Sequence, residues 1–122
     1  MAASPTARTL DWCRKNNILC GVVETFVHFP PPGHRMDLFG VIDMIACVPG
    51  VGILAIQATS ASNVTSRMKK SKAEPRLRQW LLSGAGFEVW GWGKNKKTGR
   101  VTLRREVITM ADLEGNTSAD DF

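Results

Sequence analysis

Two almost unbroken apolar runs, FGVIDMIACV (residues 39–48) and GILAIQAT (52–59), flank a Pro49-Gly50 turn. Their length and β-branched content predict a pair of antiparallel strands joined by a short connection. Strands this uniformly apolar are buried on both faces, so the pair belongs at the centre of a sheet. Within them stand two polar side chains, Asp43 and Gln57. A polar group in a buried strand costs stability unless it has a partner, so both positions need an explanation: for Asp43 a ligand role, for Gln57 either a ligand role or a satisfied core amide.

The other elements are arranged around this pair. Ser4 and Pro5 are a helix cap and first-turn residue, with Leu10 and Cys13 facing inward; the helix is expected to end near Asn16-Asn17, before Cys20-Gly21. VVETFVHF (22–29) predicts a strand that stops at Pro30, Pro31, Pro32 and Gly33, which makes three antiparallel strands in succession. Ser62 or Asn63 caps a helix through NVTSRMKKSK, Pro75 breaks it, and PRLRQWLLSG continues to Gly84 and Gly86. FEVWG (87–91) reads as a fourth strand, and a basic turn at 95–99 leads to a last strand over 101–109. Trp80 is expected in the core, and Trp90 or Trp92 in a contact between subunits.

The 122 residues suit one domain over 1–113, with an acidic and disordered tail from 114 to 122. No run approaches the roughly 20 apolar residues of a membrane helix, and no basic-then-apolar leader is evident, so a cytoplasmic protein is expected. Cys13, Cys20 and Cys47 are odd in number and scattered, which argues for small buried thiols and against a disulfide framework or zinc site. His28 and His34 likewise lack metal-ligand spacing. Charge is more telling. Residues 1–105 hold all 16 basic residues but 6 of the 11 acidic ones, a net of +10. So positive a body attracts polyanions by phosphate contact and counterion release. Arg67, Lys69, Lys70, Lys72, Arg76 and Arg78 form one candidate DNA-binding cluster, and Lys94, Lys96, Lys97 and Arg100 a second.

Helix, three-stranded antiparallel meander, helix, strand, with Asp43 on GVIDMIACV and Gln57 and Thr59 on ILAIQAT, resembles the core of the PD-(D/E)xK nuclease superfamily. That superfamily includes Holliday junction resolvases and VRR-type nuclease domains. The resemblance covers roughly residues 22–92 and implies an α/β, restriction-endonuclease-like core with one strand appended at the C-terminus. It also implies a Mg²⁺ (or Mn²⁺) ion held by acids from neighbouring strands, with Asp43 the central ligand. The chain departs from the pattern at two positions: Gln57 stands for the second acid, and Thr59 for the lysine. A Gln carbonyl can ligate a hard cation without adding charge, and a hydroxyl cannot replace an ammonium. Glu24 or Asp37 is the candidate further acid. Glu24 shares a face with Asp43 or opposes it according to strand register, which a one-residue slip reverses. Arg67, Lys69 or Lys70 on the following helix is the candidate substitute for the lysine.

The implied function is a metal-dependent DNA endonuclease of phage or bacterial type, a structure-selective enzyme such as a junction resolvase, acting on branched or duplex DNA as a homodimer. The alternative is the same fold without catalysis, a DNA-binding or assembly module. A third class, a basic protein–protein adaptor, would show no salt-sensitive DNA affinity.

Overall fold

The computed structural model describes residues 3–114. The acidic stretch 115–122 lies outside them. Glu114, the first residue of the expected tail, ends a short helix; the rest of that tail lies outside the described residues.

Helix α1 (Pro5–Lys15) begins as its sequence dictates: the Ser4 hydroxyl accepts the Ala7 N–H at 3.1 Å, and Pro5 occupies the first turn. It buries Thr9 and Cys13. Strand β1 (Leu19–Val22) follows, so Cys20-Gly21 lies inside a strand instead of breaking a helix. β1 pairs antiparallel with β4 (Met44–Val48), with Val22 opposite Met44.

The predicted strand over 22–29 is therefore divided. At Val23 and Glu24 the chain leaves the main sheet, both N–H groups donating to the Asp43 carbonyl (2.8 and 3.3 Å). β2 (Thr25–Val27) then pairs with β3 (His34–Met36) in a separate two-stranded ribbon. β-propensity identifies a strand but not its partner, and the Pro-Gly tip offers a local partner at a small loop-closure cost. Gly33 closes that tip at φ +85°, where an added Cβ would lie 2.6 Å from the Val27 carbonyl. The predicted strand over 39–48 is likewise shortened. Leu38 and Ile42 form a one-pair bridge around a tight turn with Phe39 and Gly40 at positive φ, and Val41 and Ile42 drop into the core.

β4 pairs antiparallel with β5 (Gly52–Ser60) across the Pro49-Gly50 turn, as the sequence predicts. A 3₁₀ turn (Ala61–Asn63), α2 (Val64–Ala73) and α3 (Pro75–Leu82) cross over to β6 (Gly86–Lys94), which runs parallel to β5. The break between α2 and α3 falls at Glu74, before Pro75, as expected. β7 (Val101–Ile108) pairs antiparallel with β6, and α4 (Met110–Glu114) closes the described chain.

The fold is thus mixed α/β, with a five-stranded sheet in the order β1-β4-β5-β6-β7. One face packs Met44, Ala46, Leu54, Ile56 and Trp90 against Cys13 of α1. The other packs Ala55, Phe87, Val89 and Ile108 against Val64, Leu77 and Leu113 of α2, α3 and α4. Gly91 has no room for a side chain, because a Cβ there would overlap Val64 at the start of α2. Trp90 is buried and Trp92 donates its indole N–H to the Thr9 hydroxyl (2.9 Å), so both serve the contact with α1. Trp80 is half-buried, donating to the Gly86 carbonyl. Of the cysteines only Cys13 is buried; Cys20 is half-buried and Cys47 exposed. No helix among the described residues is long and apolar enough to cross a membrane.

Candidate metal and DNA site

Asp43 occupies the residue before β4, and its backbone continues the ladder: its N–H donates to the Ile56 carbonyl at 3.1 Å. Its side chain, 7% exposed, accepts the Ala58 N–H at 3.0 Å through Oδ2, which fixes the carboxylate against β5. Glu24, in the link from β1 to β2, and Asp37, just after β3, bring carboxylate oxygens to the same place. The ligand atoms of Glu24, Asp37 and Asp43 all lie within 4.8 Å of one another.

Three acids so close repel one another. Burial, and then the neighbouring Asp37 and Glu24, push the Asp43 carboxyl up to about 7, and the Ala58 N–H only partly opposes this. Arg35 on β3 pairs with Glu24 at 3.1 Å, but its guanidinium is largely exposed. Oxygen-rich, anionic and drawn from three backbone segments, the trio has the donor chemistry that hard divalent cations require.

These acids open into a cleft of about 520 Å³, lined also by Ser4 and Thr6 at the start of α1, Thr59 on β5, and Arg67 and Lys70 on α2. A second depression of about 490 Å³ shares Arg35, Asp37 and Lys70 with it and adds Met36, Phe39 and Arg76.

The sequence-derived candidates thus separate into groups. Asp43, Glu24, Asp37 and Thr59 come together, with Arg67 and Lys70 facing them from the helix. Glu24 reaches Asp43 from the link between β1 and β2 and not from the strand where it was expected, so strand register does not decide its side. Gln57 is not in the cleft lining; its Oε1 accepts the Ser71 hydroxyl at 3.1 Å, tying β5 to α2, while Nε2 is buried without a hydrogen-bond partner. Lys69 and Lys72 line a different surface beside Thr65 and Met68. Arg76 pairs with Glu74 at 2.7 Å, and Arg78 is exposed. Lys94, Lys96, Lys97 and Arg100 are exposed at the β6–β7 hairpin, whose loop is held by Asn95 accepting the Lys97 and Thr98 N–H groups. Arg35, Ser4 and Thr6 escaped sequence reasoning. For Arg35 the signal was its place two residues before Asp37; for Ser4 and Thr6 none existed beyond helix capping.

Elsewhere on the sheet, Glu88 on β6 is also a buried acid, at 8% exposure. Arg105 on β7 grips it with two bonds (2.8 and 3.1 Å), and Trp90 donates its indole N–H to it at 3.0 Å. Arg105 also lies over the Trp90 ring, 4.8 Å from its centroid.

Comparison with protein-family models, with curated proteins and with solved structures finds no match to this chain.

Proposed function

We propose that this protein is a metal-dependent DNA endonuclease built on a restriction-endonuclease-like core of the PD-(D/E)xK type. The observation carrying this reading is the convergence of Glu24, Asp37 and Asp43 in one cleft with Arg67 and Lys70. The order α1, β1, β4, β5, α2/α3, β6, with three antiparallel strands and a parallel crossover strand, supports the core assignment. Glu24, Asp37 and Asp43 are the residues that would hold Mg²⁺ or Mn²⁺. When bound, such an ion supplies polarisation of the phosphate and a water of lowered pKa.

The chain's own residues do the rest. The Ala58 N–H keeps the Asp43 carboxylate oriented, and Arg67 and Lys70 neutralise charge that builds on the phosphate during attack. A cation arriving from α2 substitutes for the lysine that Thr59 replaces on β5. The Gln57–Ser71 bond fixes α2 next to Lys70, so Gln57 acts by positioning a helix. The remaining basic residues contact DNA phosphates without reading sequence.

A homodimer is part of the proposal. β7 is an edge strand, and antiparallel self-pairing centred on Arg105 sets each Arg104 opposite a Glu106 and each Leu103 opposite a Val107. The Arg104→Glu variant would place like charges across that seam and should run as a monomer in light scattering.

Labelled four-way junction, flap and linear duplex, incubated with Mg²⁺, Mn²⁺ or EDTA, test the function. Metal-dependent cuts that disappear in Asp43→Asn establish it. The competing reading, a DNA-binding or assembly module without catalysis, is favoured by the acid and lysine missing at Gln57 and Thr59. Its outcome is tight binding without cuts, unaffected by EDTA.

A further inference from the structure

The β2–β3 ribbon has no place in the core. None of residues 25–36 belongs to either hydrophobic cluster, and the ribbon forms its own two-stranded sheet. Two strands alone are marginally stable in water, so this element gains its definition from its anchorage and from whatever it touches. Its anchorage is the site itself. Glu24 immediately precedes β2 and Asp37 immediately follows β3, so two of the three clustered carboxylates are the two ends of the ribbon. The Glu24–Arg35 ion pair ties those ends together.

At the far end the sequence is Phe29-Pro30-Pro31-Pro32-Gly33. Phe29 is 78% exposed there, and Phe26 on the stem 51%. Exposed aromatic rings beside a cleft lined by Arg67 and Lys70 match one ligand chemistry well. Unpaired or frayed bases present a π-face that a ring can stack on, whereas a continuous duplex hides those faces. The depression at the ribbon's base is lined by Lys70, by Arg35 and Arg76, which pair with Glu24 and Glu74, and by Met36, Asp37 and Phe39.

Resting on the nuclease reading above, we infer that the β2–β3 ribbon is a branch-sensing wedge, with Phe29 stacking on unpaired bases at a junction or flap while Glu24 and Asp37 at its base face the backbone to be cut. The substrate class is thereby branched DNA with exposed base faces, in preference to continuous duplex. Phe29 is five residues from Glu24, which is at most about 17 Å along an extended strand. At 3.4 Å per nucleotide this places cuts within about five nucleotides of the branch.

The test measures binding in EDTA, so that it does not depend on catalysis. Wild type, Phe29→Ala, Phe29→Trp and, as a control on an exposed apolar side chain at the β4–β5 turn, Val51→Ala are titrated with a flap carrying 2-aminopurine at the branch and with a matched duplex. Loss of one stacked base should weaken flap binding about tenfold in Phe29→Ala. Duplex affinity should not change, Phe29→Trp should retain flap preference, and Val51→Ala should resemble wild type. The 2-aminopurine signal should change on binding for wild type and not for Phe29→Ala. Equal losses on flap and duplex, or no loss on either, overturn the inference, as does an absence of DNA affinity, which would leave the ribbon to a protein partner. Flap preference through Phe29 without any cuts in Mg²⁺ would uphold the wedge and reject the nuclease. Metal-dependent cuts at equal rates on all substrates, unchanged by Phe29→Ala, would do the reverse.

Discussion

Asp43, at the entry to β4, and Glu88, on β6 of the same sheet, are buried to nearly the same degree, yet they are treated in opposite ways. Glu88 is fully compensated: two bonds from Arg105 and one from the Trp90 indole leave it no unanswered charge. Asp43 receives one backbone N–H and faces two more acids, so its carboxyl is driven up to about 7. A buried acid with its counter-charge built in belongs to the architecture. One without it is, on the reading proposed above, held for a cation brought from outside, and the contrast between the two acids is what that reading rests on.

The largest expected difference between the two acids is in activity. Asp43→Asn should lower metal-dependent cleavage by about 10³-fold, roughly 4 kcal/mol in barrier, while Glu88→Gln should leave the rate per folded molecule unchanged. Rates from single-turnover assays, normalised to folded protein by circular dichroism, compare them. If both lost activity equally, the distinction would collapse.

Next comes stability against pH without metal. Folding raises the Asp43 pKa, so the native state binds a proton more tightly than the unfolded chain. Stability from this group is present below the ordinary aspartate range near about 4, and is lost as pH rises through about 7, by up to about 4 kcal/mol. Thermal melts in EDTA should therefore weaken from pH 5 to 8 in wild type, and the Asp43→Asn curve should be flatter and higher at the alkaline end. Saturating Mn²⁺ should recover much of the wild-type loss, since an ion at 100 times its Kd contributes about 2.7 kcal/mol.

Glu88→Gln acts in the opposite direction. It leaves the Arg105 guanidinium, which lies over the Trp90 and Trp12 rings, without its carboxylate, at a cost of about 2–3 kcal/mol because Arg105 still reaches solvent. The melting temperature should fall by about 10 °C at every pH, with no rescue by metal.

The smallest effect concerns Gln57, a polar group of neither kind. Replacing the Gln57–Ser71 pair by Leu and Ala removes a buried amide N–H without a partner, so stability should change by less than about 1 kcal/mol, upward if at all. A cleavage rate reduced in this double variant would show that the tie from β5 to α2 positions Lys70.

Much of the fold is legible in local signals. Ser4-Pro5, Pro49-Gly50 and Pro75 lie at the turns and helix boundaries the sequence implies, because capping and proline geometry act over a few residues; α2 also starts after Asn63 as expected, though the Asn63 side chain makes no cap hydrogen bond. What a strand pairs with is not local. Residues 22–29 have one uniform β-character, and nothing in them tells that Val22 pairs with Met44 while Thr25 pairs with Met36. Asp43 was conspicuous because an acid in an apolar strand violates a simple rule. Glu24 and Asp37 were only candidates, since their approach depends on a ribbon whose closure composition does not reveal. Glu88 was hidden altogether: its environment is set by Arg105, seventeen positions along the chain on the neighbouring strand. α4 passed unnoticed because its five residues are too few for a periodic pattern.

The backbone of Asp43 takes its N–H to β5 and its carbonyl to Val23 and Glu24, while only its side chain joins the acid cluster. Scaffold and chemistry are thus wired through different atoms of one residue. Exchanging the side chain removes one carboxylate from the cluster yet leaves in place the peptide group that seats Glu24 next to it. Under the proposed function, such a protein could be disarmed or re-armed by single substitutions without being rebuilt.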